Sequence, residues 1–128
     1  MTPLATMTRG AENAPADGKP HDAGILNRPA ALKRMGGNQE LMEEYLQLAM
    51  KDLDARTPML AAALAANDAA EVRSVAHAMK SIGLTMEAGQ VADLGLRIQS
   101  AGEQGDVALA RRLFERMETA LERLRSLI

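Results

Sequence analysis

Cysteine and tryptophan are absent from this 128-residue chain, which carries one Phe and one Tyr. The lack of cysteine excludes disulfide staples, thiolate metal ligands and a thiol nucleophile. With so few aromatics, the 47% apolar content is supplied mainly by Ala, Leu and Met, a balance that favours helices over sheets. An excess of one charge is lacking too. The 15 Lys and Arg residues interleave with 17 Asp and Glu, and the formal net charge of -2 leaves no basic field for a nucleic acid. No apolar run approaches the roughly 20 residues of a membrane span, and the N-terminus has no continuous apolar core of a secretory signal. The expectation is a cytoplasmic monomer with no nucleic-acid or membrane partner, forming a single domain held together by helix packing.

Residues 1–24 hold Pro3, Pro15, Pro20 and several glycines with little apolar periodicity, and read as a flexible tail. The folded domain is expected over residues 25–128. Asn27 can cap a short helix from Arg28 to about Met35, with Pro29 tolerated in its first turn and Gly36-Gly37 ending it. Asn38 can cap a long second helix with Leu41, Tyr45, Leu48, Leu53, Leu60 and Leu64 inward. Pro58 should kink or interrupt it, because proline removes the bond to the Asp54 carbonyl and crowds it. Asp68 and Glu71 form a D-x-x-E start for a third helix, and a fourth runs from about Gly89 to Ala101. Gly102 to Gly105 reads as a turn, and Asp106 caps a last helix with Leu109, Leu113, Met117, Leu121 and Leu124 on one stripe. The fold class is therefore all-α: an antiparallel four-helix bundle preceded by a short N-terminal helix.

The third helix carries the residue of most interest. Val72, Val75, Met79, Ile82 and Met86 alternate at spacings of three and four, the mark of a buried face. At about 100° per residue, His77 points away from that stripe. Arg73 and Lys80, one turn to either side, share its face, so an exposed imidazole is flanked by two cations. Such a place suits a dianionic group such as a phosphoryl. A short connection makes the third and fourth helices antiparallel; centring the turn near Ala88 sets His77 beside Gln99, Ser81 beside Gly95 and Leu84 beside Ala92. The Gln99 amide can then hydrogen-bond the ring and select its tautomer. His21, in the tail, is given no role, and Asp93, Glu103 and Glu87 do not converge on either histidine as a metal site. The methionines read as core filler.

The run Ala76-His77-Ala78-Met79-Lys80-Ser81, the small residues after it, Leu94-Gly95 and Gln99 resemble the pattern of histidine phosphotransfer (HPt) domains, the intermediate carriers of multistep two-component phosphorelays. The resemblance extends upstream to Leu32-Lys33-Arg34-Met35-Gly36-Gly37-Asn38 and downstream through Gly105-Asp106, covering about Ile25 to Ile128. It implies that His77 is the phosphorylated histidine, that Lys80 helps hold the phosphoryl group and that Gln99 orients the imidazole. Two departures stand out: Ser81 follows the lysine where the family often has Gly, and Glu87 replaces a Gly common in the turn.

The chemistry fits a relay. A phosphoryl acceptor nitrogen must be neutral with a free lone pair, and an unperturbed imidazole with a pKa of about 6.5 is mostly so at neutral pH. The chain has no Gly-x-x-x-x-Gly-Lys loop for ATP and no acidic cluster resembling a magnesium pocket, so a free-standing kinase is not expected and no cofactor of its own is assigned. The resemblance implies as partners a response-regulator receiver, supplying the aspartyl phosphate and Mg2+, and a hybrid sensor histidine kinase. Docking would use Arg73, Ala78, Ser81 and Leu84 around His77. The competing reading is a helical interaction module of the same fold that binds a kinase or receiver without transferring phosphate.

Overall fold

The computed structural model describes residues 22–128, so the expected tail, up to and including His21, lies outside the described residues. The described residues contain six helices: α1 Asp22–Ile25, α2 Arg28–Arg34, α3 Gln39–Ala65, α4 Ala69–Thr85, α5 Gly89–Glu103 and α6 Val107–Ser126. The first of these differs from the sequence expectation, because Asp22 to Gly24 are helical where the tail was expected to continue. Helices α3 to α6 pack against their chain neighbours, and α3 meets α6 to close the bundle. The most extensive packing is between α4 and α5.

The helix starts follow the expected caps. Asn27 Oδ1 accepts from the Ala30 N–H at 3.2 Å, Asn38 from Leu41 at 3.0 Å, Asp68 from Glu71 at 3.1 Å and Asp106 from Leu109 at 3.0 Å. Each satisfies a backbone donor that a helix start leaves open, worth about 1 kcal/mol. The α2–α3 connection turns through Gly36 and Gly37 at positive φ, which a side chain would strain. Arg111 serves the far end of α3, donating to the Leu64 carbonyl at 2.8 Å and to Asn67 Oδ1 at 2.6 Å. Arg28 joins three elements by donating to Glu43 and to the Leu127 carbonyl.

Three expectations need correction here. Helix α3 is not interrupted at Pro58, which sits inside it at an exposed position where the Asp54 carbonyl it frees can turn to water. The inward face of its first half is Met42, Leu46, Ala49 and Leu53, whereas Leu41 is 45% and Leu48 64% exposed. Two apolar stripes one residue apart exist there, and the core takes the one that stays in phase with Leu53 and Leu60. Tyr45, on the core-side edge of the Leu41–Leu48 stripe, is half-buried; burial pushes its phenol above the usual tyrosine value while Arg34 draws it back. Finally, Gly102 lies inside α5 rather than in the turn, which instead uses Gly105 at φ 73.

The core is apolar throughout, with no buried polar or charged residue among those described. Met42, Met79, Met86 and Met117 are fully buried alongside Leu46, Leu53, Leu60, Val72, Val91, Ile98 and Leu124. These four methionines, with Met50, fill core as the sequence indicates, their unbranched chains adapting to irregular gaps, whereas Met59 is exposed.

Candidate functional site

The site lies on the α4–α5 hairpin. Three glycines fix its register. A Cβ placed on Gly83 would meet the Ala92 nitrogen at 2.8 Å, one on Gly95 would meet the Lys80 N and Cα at 2.9 Å, and one on Gly102 would meet the Arg73 nitrogen at 2.9 Å. The two backbones therefore approach more closely than any side chain allows at these three levels. This moves two expected pairings by one residue: Gly95 faces Lys80 rather than Ser81, and Ala92 faces Gly83 rather than Leu84. The hairpin is centred between Glu87 and Ala88, slightly ahead of the assumed position.

Glu87 takes the left-handed conformation at φ 66, where a glycine would be unstrained. Two contacts hold it there. Its carboxylate pairs with Arg34 at 2.5 Å and its carbonyl accepts from the Asn27 N–H at 2.9 Å. The turn thus keeps its shape with Glu in the glycine position and is tied to α2.

Within this frame His77 is exposed, and its Nδ1 lies 3.3 Å from Gln99 Oε1. The expected neighbour is present. The other end of the same amide, Gln99 Nε2, donates to Glu103 Oε2 at 3.4 Å. A carboxylate only accepts, so the amide presents its NH2 to Glu103 and its oxygen to the ring. In that arrangement a proton on Nδ1 would match the amide oxygen, with the lone pair on Nε2, which makes no hydrogen bond among the described residues. Glu103 does not reach the ring but is linked to it through Gln99, a connection the sequence reading, which weighed Glu103 only as a metal ligand, did not make. The Gln-x-x-x-Glu spacing on one helix was the signal available for it.

The remaining expected site residues all lie on α4 with His77. Arg73 is exposed and Lys80 half-buried, and neither is in an ion pair among the described residues. Ser81 is exposed, with its hydroxyl turned back onto the His77 carbonyl at 3.1 Å, so it adds little bulk to the surface. Ala78 is half-buried, and Leu84 is 55% exposed.

An exposed imidazole held against an amide oxygen, on a helix whose Arg73 and Lys80 are in no ion pair among the described residues, can act as a nucleophile toward an electrophilic, anionic group. The comparisons agree with that chemistry. The family model for the Hpt domain matches residues 41–127, starting after the Leu32–Asn38 segment that also carries the resemblance. No curated protein matches the chain. Among solved structures, the fold is similar to that of histidine-containing phosphotransfer protein B (HptB) from Pseudomonas aeruginosa PAO1, with 25% identity over 80% of this chain and 90% of that one and a TM-score of 0.75. It is also similar to the HPT domain of a sensor hybrid histidine kinase from Shewanella, at 19% identity, 84% and 98% coverage and a TM-score of 0.60, a likeness that concerns the fold alone. With its helical bundle, and with the family match spanning most of its length, the chain belongs to the Hpt domain family, whose role is histidine phosphotransfer in phosphorelays.

Proposed function

We propose that His77 is the residue that takes up and releases the phosphoryl group, and that it does so at Nε2. The observation that carries this reading is the Nδ1 contact to Gln99 Oε1 at 3.3 Å, which leaves Nε2 as the nucleophilic nitrogen on an exposed ring. The Nε2 lone pair attacks the phosphorus of an aspartyl phosphate on a receiver domain. A P–N bond forms, the P–O bond to the aspartate breaks, and the carboxylate leaves with the bonding electrons. The Nδ1 proton stays in place, so the product is a phospho-imidazolium whose positive charge faces the Gln99 oxygen. The reverse sequence passes the group to the aspartate of another receiver.

Most of the catalytic demand in a loose phosphoryl-transfer transition state is positioning and charge neutralisation. Lys80, and Arg73 less directly, supply positive charge on this side, while the receiver brings the acidic residues and Mg2+. Arg73, Ala78, Ser81 and Leu84 form the surface on which it docks. A hybrid sensor histidine kinase is the class of donor that fits, and the cytoplasm, where receivers work, is the compartment. No described helix is long and apolar enough to cross a membrane.

The test is to incubate the protein with a phosphorylated receiver and Mg2+ and follow acid-labile label. Wild type should take it up and His77→Ala should not. Label retained by His77→Ala would overturn the assignment, and binding to several receivers without any label would leave an interaction module instead.

A further inference from the structure

Glu103 is an unusual residue to find at the end of a helix. It is the last residue of α5, whose final turn contains no basic side chain, and a negative charge there opposes the partial negative charge of the helix C-terminus. Local helix energetics therefore argue against it. Its position, however, is well held: Gly102 is seated against the Arg73 backbone of α4, and the Gly105 N–H and the Asp106 N–H bond back to Gly102 and Ala101 at 3.1 and 2.8 Å. From this fixed end the carboxylate reaches the Gln99 amide one turn back.

The consequence lies in the direction of that contact. An amide side chain is nearly symmetric in shape, and with no partner at its far end Gln99 can turn either its oxygen or its NH2 to the ring. Oxygen toward the ring requires a proton on Nδ1 and leaves Nε2 free; NH2 toward the ring requires the proton on Nε2, which removes the nucleophile. A carboxylate at the far end accepts the NH2 and excludes the second arrangement.

We propose that Glu103 is a positioning residue that sets the direction of the Gln99 amide and, through it, the tautomer of His77. This rests on His77 being the phosphoryl acceptor. Glu103 touches neither the phosphoryl group nor the ring. As a polarity device it makes a prediction that a simple contact would not: reversing its hydrogen-bonding character should reverse the tautomer.

The experiment uses the full chain labelled with 15N-histidine, with His77→Ala to assign the ring signals. Ring-nitrogen shifts read the tautomer without any partner protein. Wild type should hold the proton on Nδ1. Glu103→Ala and Glu103→Gln, which remove the carboxylate or make the far partner direction-neutral, should mix the two tautomers and slow transfer from a phosphorylated receiver about fivefold, the scale of one ordinary hydrogen bond. Glu103→Lys, which can only donate, should move the proton to Nε2 and slow transfer further than Glu103→Ala. Melting temperatures should stay level or rise, because an unfavourable helix-end charge is removed. A tautomer unchanged across all three variants overturns the proposal, as does a Glu103→Lys protein indistinguishable from Glu103→Ala. Either result leaves the His77 reading standing if wild type is labelled, whereas an unlabelled wild type sinks the His77 reading whatever the ring shifts show.

Discussion

At the scale of single residues, the two cations on the His77 helix, Arg73 and Lys80, are in no ion pair among the described residues. Lys80 is half-buried against Gly95 yet outside any ion pair among the described residues, so its ammonium is available to an incoming anion. Lys80→Met keeps most of the stem and removes the charge. It should slow transfer to His77 by about tenfold or more while leaving the melting temperature within a few degrees, because charge stabilisation in the transition state is lost and packing is not. Rapid-quench labelling measures the first and calorimetry the second. Equal rates for the two proteins would show that the partner alone neutralises the phosphoryl oxygens. The placement of His77 and Lys80 outside the buried face of α4 was legible in the sequence, since it follows from one helix's apolar stripe. Glu103 was not, because its part depends on the orientation of an amide, and spacing alone does not carry that.

At the scale of the helix pair, geometry comes from what is missing on α5. Gly95 presents bare backbone to Lys80, and a methyl group there meets main-chain atoms that have nowhere to move. Gly95→Ala should therefore separate α4 from α5, cost about 1–3 kcal/mol in urea unfolding, and weaken the His77–Gln99 contact enough to slow transfer. Gly89→Ala is the control: its added carbon would be 3.4 Å from the nearest atom, an ordinary contact, and stability should change little. If both variants behave alike, the close approach at Gly95 has no functional weight. The pairing of His77 with Gln99 was readable because hairpin partners follow from the turn centre. The pairing of Gly95 came out one residue away, since a turn held by Glu87 at positive φ shifts that centre by half a residue and neither Glu87 nor its ties to Arg34 and Asn27 announce it.

At the scale of the molecule, the bundle is an apolar core within a charged surface, and the core is specific about which stripe of α3 it accepts. Leu46 is fully buried and Leu48 is mostly exposed, two residues apart on one helix. Leu46→Ala should cost about 2–5 kcal/mol, with the deleted atoms and the cavity both contributing, while Leu48→Ala should stay within about 0.5 kcal/mol. Denaturant midpoints at constant slope check this, and a large loss at Leu48 would contradict the orientation of α3. The four-helix architecture was readable from caps and periodicity. The facing of α3 was not, because Leu41, Tyr45 and Leu48 form as good a stripe as Met42, Leu46 and Ala49, and only packing against the other helices chooses between them.

The glycine-registered hairpin also bears on how the molecule assembles. His77, Lys80, Arg73, Gln99 and Glu103 all belong to the segment 69–103, so every contact that builds the site closes a short loop of chain. Short loops cost little entropy to close and form early, and units of this kind open and close as one. The surface around His77 is thus written into the most local part of the topology. On that ground the amides of the 69–103 hairpin are expected to exchange with solvent as one group, which hydrogen exchange measures.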